Sequence, residues 1–326
     1  MTPPSGDNTS SPSWEKVPFD KLQLSTLVAM ESPEAVHSEV LHILNLINPE
    51  FDTKPVSRVF RFTVDLYDGQ HREYRACNTD YHNLRHITDT YLAMMRLLHG
   101  ALLSGEDFSE KHIFLGLTGA LMHDTGMIQK SWDLQGTGAK YTQQHVKLSM
   151  DFVTDHTATF KLNERDIADL RAMILCTDLM ADIPAMHFSS PHIELLGKIL
   201  GTADLIAQMA DRTYLEKLLF LYHEFREAEL GNFENELDFL HQTLNFYTVS
   251  DKRFKETLDN TCRYMVPHFK ARWGIKENLY VLSLKKQRTF LEKILADGNR
   301  SVYRELKRSK IVEDVRRKFG NNGLQE

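Results

Sequence analysis

Ser32-Pro33 and Ser190-Pro191 each head a long segment whose apolar residues recur at helical spacing, and this pattern constrains the fold more than any other feature of the 326 residues. A serine side chain can cap a helix, and proline is tolerated at the first helical position, where its missing N–H costs nothing. Behind the first pair, EAVHSEVLHILNLIN sets Val36, Val40, Ile43, Leu44 and Ile47 on one stripe. Behind the second runs HIELLGKILGTADLIAQMAD, and Asn163 supplies a cap for ERDIADLRAMILCTD. The same period predicts helices over 83–103, 109–128, 140–157, 213–229, 235–248, 252–270 and 299–318. Between Val59 and Leu66 the residues alternate as in a strand, yet Phe62 and Leu66 also suit a helix. No partner strand is evident, so a helix is predicted there too. The expectation is an all-α chain folded as a single multi-helix bundle over 21–275. A polar Pro/Ser-rich disordered tail is expected over 1–20. A charged helical extension over 276–326 would pack on the bundle or serve a homodimer contact.

Composition narrows the function classes. The chain is 42% hydrophobic and 26% charged, with a net charge of -6. That is ordinary globular composition, and no Lys/Arg block gives a nucleic-acid footprint. No run of 18 apolar residues exists to span a bilayer, and the N-terminal residues lack the basic and apolar regions of a signal peptide. Three separated cysteines, Cys77, Cys176 and Cys262, make a disulfide framework improbable; reduced thiols in a cytoplasmic protein are expected. Trp14, Trp132 and Trp273 are isolated, so no aromatic nucleic-acid platform emerges. The unusual number is 15 histidines, and the question is which of them cluster with carboxylates.

Three segments answer it. Tyr81-His82-Asn83-Leu84-Arg85-His86 puts two histidines four apart at the start of a long helix, where both can face one site. Read blandly, they are surface histidines beside a capping Asn83. In LTGALMHDTGMI an apolar helix runs into adjacent His123 and Asp124, whose burial is costly without partners or a metal. In GTADLIAQMAD, Asp204 interrupts an apolar run; a core-facing carboxylate is rare without a cation, a structural ion pair being the alternative. Together these give two imidazoles and two carboxylates. Such a mixed nitrogen and oxygen set suits Zn, Fe, Mn or Co rather than a closed cysteine site.

The order H…HD…D resembles the HD-domain superfamily of metal-dependent phosphohydrolases. YHNLRH followed by Asp89 is similar to the YHNxxHxxD signature of its cyclic nucleotide phosphodiesterase branch, and Cys176-Thr177-Asp178-Leu179 is similar to that branch's A-T-D-M segment. The resemblance covers about residues 50–270. It implies an HD-domain/phosphodiesterase-like bundle that hydrolyses a small phosphoester or nucleotide, such as a 3',5'-cyclic nucleotide, by attack of a metal-bound hydroxide. His86, His123, Asp124 and Asp204 would ligate the first of two divalent ions (Zn, Mg, Mn or Fe), and Asp124 would bridge to the second. His82 would act as general acid toward the leaving oxygen. A helix N-terminus beside His82 would add a field favourable to phosphate.

The chain also departs from that pattern. The branch has HDxxHxG, whereas Met127 stands here in place of the histidine. His145 in YTQQHVKLSM is a candidate substitute for a second-metal or phosphate contact, its plain alternative being an exposed helix histidine. Gln242 and Phe246 in FLHQTLNFY are candidates for holding a purine, in a segment that does not clearly keep the branch's motif. Two other readings compete: an HD-domain di-iron oxygenase, which needs further histidine ligands, and a nucleotide-sensing module without turnover.

Overall fold

The computed structural model describes residues 22–297 and 302–320; the tail expected over 1–20 lies outside them. All regular structure among these residues is helical, with one isolated bridge pairing Tyr74 and Lys130. Twelve helices have nine or more residues: α1 Pro33–Ile47, α2 Lys54–Tyr67, α3 Leu84–Leu103, α4 Glu110–Met122, α5 His145–Asp155, α6 Glu164–Leu175, α7 Pro191–Ala210, α8 Tyr214–Glu227, α9 Glu236–Lys252, α10 Met265–Trp273, α11 Leu279–Ala296 and α12 Ile311–Phe319. The all-α expectation holds, and the ambiguous segment at 59–66 is helical within α2.

The starts are set by local chemistry. Ser32, Ser190 and Asn163 accept the backbone N–H of Ala35, Ile193 and Asp166, satisfying amides that a helix start leaves without partners. Asn83 does the same for Arg85 and His86, so α3 begins at Leu84, two residues beyond His82.

Helices α3 and α7 form the centre. Every residue of α3 from His86 to Ala101 is buried, as expected of a helix covered on all sides. It packs against α7, α1, α4 and α10. A second apolar cluster gathers α8, α9, α11 and α12 through Leu215, Leu218, Leu240, Leu291, Ile311 and Val315. Phe246 and Leu284 touch both clusters and knit them together.

Several helices differ from their predicted lengths, each for an identifiable reason. The helix expected over 109–128 stops at Met122, and a 3-10 turn follows at Thr125–Met127. That expected over 140–157 begins only at His145, after a separate 3-10 turn at Gly138–Tyr141. The 252–270 segment is broken by a π-turn at Arg253–Thr257 and by left-handed Asp259 and Asn260 before α10 starts. Left-handed Ser309 and Lys310 likewise break the segment read as 299–318, of which residues 299–301 are outside the described residues. Its charged stretch is not a plain solvated face, since α12 buries Ile311, Val312 and Val315. Helix α11 buries Leu279, Tyr280 and Leu291, so this part of the extension packs on the bundle.

Gly126 allows the turn after His123-Asp124 to lie against α5. Its N–H donates to Ser149 Oγ at 2.9 Å, and a Cβ there would stand 2.1 Å from the His145 carbonyl oxygen. Gly126→Ala should therefore destabilise the protein by about 1–3 kcal/mol through overpacking against rigid backbone. Thermal or urea denaturation checks this; an unchanged midpoint would show that the contact yields freely.

Candidate metal centre

Three helical segments deliver the cluster. His86 comes from the first turn of α3, His123 and Asp124 from the end of α4, and Asp204 from the middle of α7. All four are buried. His86 Nε2 lies 3.2 Å from His123 Nε2, 3.1 Å from Asp124 Oδ2 and 3.2 Å from Asp204 Oδ1. His123 Nε2 lies 3.3 Å and 3.5 Å from the same two oxygens. Donors arranged tetrahedrally at about 2.0–2.1 Å from a zinc-type ion stand roughly 3.3–3.4 Å apart, which matches the separations among His86, His123 and Asp124. His86, His123 and Asp124 thus form a buried group that could hold a metal ion, and Asp204 Oδ1 lies within 3.5 Å of both imidazoles.

The hydrogen bonding around the cluster supports the same fit. His123 Nδ1 faces the Ala120 carbonyl at 2.9 Å, which fixes the N–H on that nitrogen and presents the Nε2 lone pair inward. Two such imidazole nitrogens only 3.2 Å apart call for a cation or a proton between them. Asp124 Oδ2, facing both, has no hydrogen-bond partner of its own.

Electrostatics repeat this demand for positive charge. Burial works against the imidazolium of His86, but the adjacent Asp124 and Asp204 carboxylates more than reverse it and lift the ring to about 9. Burial opposes the His123 imidazolium as well, and the Asp124 charge carries that group well above the usual histidine range. Asp124 is held well below the usual carboxylate range despite its burial, chiefly by His123; Asp204 is lowered by His123 and His86. Without a metal, protons take the place of the cation.

His82 precedes the cap of α3 rather than lying on the helix, so the two histidines reach one site by a bend in the chain. Its ring stands 5.9 Å from that of His86 and 6.1 Å from that of His145. His82 Nδ1 donates to Glu224 Oε2 at 2.6 Å, while Glu224 Oε1 accepts the Tyr81 N–H at 2.7 Å. Burial disfavours the His82 cation, yet Glu224 prevails and raises the ring above its ordinary value.

Sequence reasoning missed Glu224. The apolar stripe of α8 comprises Tyr214, Leu215, Leu218, Leu219 and Tyr222. At about 100° per residue, Glu224 falls on the opposite side of the helix, where amphipathic patterning marks solvent. The helix instead buries that side as well, packing there against the Gly138–Tyr141 turn. Gln208, one turn after Asp204, was missed too: it donates to Asp204 Oδ1 at 3.1 Å and accepts the Tyr81 hydroxyl at 2.7 Å.

The other expected residues divide. His145 joins the site: Nδ1 donates to the Thr142 carbonyl at 2.6 Å, and Nε2 lies 3.4 Å from Asp124 Oδ1. Met127 is buried. Asp89 pairs with Arg85 at 2.9 Å, and burial raises it to about 6 despite that guanidinium. The Cys176–Leu179 segment is held by Arg253, which donates to the carbonyls of Cys176, Asp178 and Leu179 at 3.0, 2.7 and 3.1 Å. Gln242 is exposed and donates to Asp238 on its own helix, and Phe246 packs between the apolar clusters. Neither has a hydrogen bond, ion pair or ring contact to the cluster among the described residues.

Metal binding should release protons at pH 7, because ligation needs the lone pair that His86 surrenders to a proton below about 9. Affinity for Zn or Mn should therefore rise with pH from 6 to 9 and fall sharply in His86→Ala or Asp204→Ala. Calorimetry in buffers of different ionisation heat reads both effects; a pH-independent affinity would contradict them. In chelated protein the sign is reversed for stability. The raised His86 contribution is complete below its ordinary 6.5 and is lost as pH rises through about 9. Asp124 and Asp204, lowered in the fold, stay ionised throughout that window. The melting temperature of chelated protein should accordingly decline from pH 6.5 to 9, and decline less in His86→Ala. Compared with known protein families, curated proteins and solved structures, the chain matches none, so the reading of this centre rests on its own geometry.

Proposed function

We propose that the protein is a metal-dependent phosphohydrolase acting on a small phosphoester, with phosphodiesters of the cyclic nucleotide type as the first class to test. The observation that carries this reading is the His82–Glu224 pair standing beside the His86–His123–Asp124 cluster. A closed structural metal site has no use for a proton donor; a hydrolytic one does.

Two divalent ions of the Zn, Mg, Mn or Fe type would supply Lewis-acid activation of water and neutralise charge on the phosphoryl oxygens. The side chains divide the remaining work. His86, His123 and Asp124 would hold the first ion, with Asp204 Oδ1 beside both imidazoles to assist. Asp124 Oδ1 faces His145, so one carboxylate addresses both the buried cluster and the half-buried imidazole beside it. Glu224 fixes the His82 tautomer and raises its proton affinity, which favours a protonated ring able to give its proton to a leaving oxygen. Helix α3 contributes little direct phosphate binding at its start, because Asn83 already accepts the Arg85 and His86 amides. Gln242 and Phe246 give no support to purine recognition, so phosphoryl chemistry is better supported than nucleobase selection.

Metal-loaded protein should cleave at least one member of a panel of cyclic nucleotides, nitrophenyl phosphodiesters and phosphomonoesters, and Asp124→Asn should abolish that activity. His82→Ala should lower kcat by about 10²–10⁴-fold on esters with poor leaving groups. On nitrophenyl esters, whose leaving group needs no proton, the loss should be far smaller. Glu224→Gln should move the alkaline limb of the pH–rate profile downward, since the carboxylate that raises His82 is gone. A panel without turnover, or an equal His82→Ala loss on both ester classes, would sink the proposal. Dioxygen uptake by the ferrous protein would favour an oxygenase in its place.

A further inference from the structure

A cavity of about 430 Å³ opens between α7, α9, α11 and the segment 254–262, well within the range of small-molecule sites. None of its lining residues belongs to the metal centre. The two sites share α7, but Ile206 lines the cavity two residues after Asp204, which at about 100° per residue puts it on the opposite side of the helix. Ile206, Phe254, Val281 and Leu284 give it an apolar wall.

Its polar groups are unevenly charged. Lys255, Lys285 and Arg288 line it against a single carboxylate, Asp251. Lys255 is paired with Asp251 at 2.6 Å and Arg288 with Glu292 at 2.9 Å. Lys285 is exposed and has no carboxylate partner among the described residues. In the same wall, Tyr247 and Ser250 are buried, and their hydroxyls lack hydrogen-bond partners. Unpaired buried hydroxyls cost about 1–3 kcal/mol each, so an incoming polar atom would be favoured there.

We infer that this cavity binds a small amphipathic monoanion, a medium-chain alkyl carboxylate, with its chain against Ile206, Phe254, Val281 and Leu284 and its head at Lys285. One unpaired ammonium matches one negative charge. The apolar wall matches a chain rather than a polar metabolite, since burying chain methylenes yields about 0.8 kcal/mol each. The inference is independent of the hydrolytic reading, because no residue of the metal centre takes part.

Decanoate below its micellar concentration is the probe, titrated calorimetrically into full-length, chelator-treated protein. Saturable binding near one equivalent is expected, weakened about fivefold in Lys285→Glu, as a rim charge interaction allows. Decanol, which lacks the charge, should bind wild type and Lys285→Glu alike. Cys262 is a free thiol in the cavity wall and reports location. Decanoate should slow its alkylation by iodoacetamide, mapped by mass spectrometry, while leaving Cys77 unaffected. Absence of saturable binding, wild-type affinity in Lys285→Glu, or unprotected Cys262 would each overturn the inference. Lys285 is exposed on α11, so its replacement tests binding without disturbing the fold.

Discussion

Two carboxylates buried opposite two imidazoles govern this structure. Asp124 and Asp204 lie in the apolar centre of the bundle, where an isolated charge is prohibitively costly. They are tolerable there only because positive charge stands between them, as protons on His86 and His123 or as a metal ion in their place. Truncating one member leaves the others buried and uncompensated, a loss of about 3–5 kcal/mol for a buried pair. The cluster is therefore a folding constraint on α3, α4 and α7 as much as a candidate reaction centre, and cation binding stabilises the arrangement of those three helices directly.

Glu224 extends the constraint to the second apolar cluster. It comes from α8, which belongs to that cluster, yet it holds both the Tyr81 amide and the His82 ring of the segment leading into α3. Tyr81 in turn reaches Asp204 through Gln208. The chain His82–Glu224–Tyr81–Gln208–Asp204 ties the proton-bearing ring to the donor set through short, directional contacts. A shift of α8 would move His82 relative to the cluster, so the packing of Leu215 and Leu218 bears on the position of a proton over the site.

How much of this was legible in the sequence depended on where each residue sits relative to its helical stripe. Asp204 and the His123-Asp124 pair stood out because they interrupt apolar runs, and a polar group inside such a run has few physical reasons to be there. Glu224 lies beside polar His223 and Arg226 on a helix whose second face is buried by tertiary contacts that no local window contains, and Gln208, between Ala207 and Met209, carries no charge to mark it. Helix type and approximate position were readable from the 3.6 period, while the breaks at Asp259-Asn260 and Ser309-Lys310 were not: non-glycine residues took the left-handed conformation there. Met127 marked the loss of an expected histidine, and the close approach of the chain at Gly126 brings His145 to Asp124 instead.

Helix α7 makes the most economical use of this geometry. Small residues at Gly197, Gly201, Ala203 and Ala207 let its neighbours approach closely; a Cβ on Gly201 would stand 2.5 Å from the Cys176 carbonyl oxygen. That same carbonyl accepts from Arg253, whose neighbour Phe254 lines the cavity on the far side of α7. The centre and the cavity lie on opposite sides of α7, and the π-turn at Arg253–Thr257 joins the cavity wall to the 176–179 segment. Such turns appear where an extra residue re-aims a helix, often at functional sites. Here it turns Arg253 toward the 176–179 segment and leaves Phe254 in the cavity wall. One local irregularity thereby sets the orientation of a buried cation and the shape of an apolar pocket, which is why neither could be read from the regular period of the surrounding sequence.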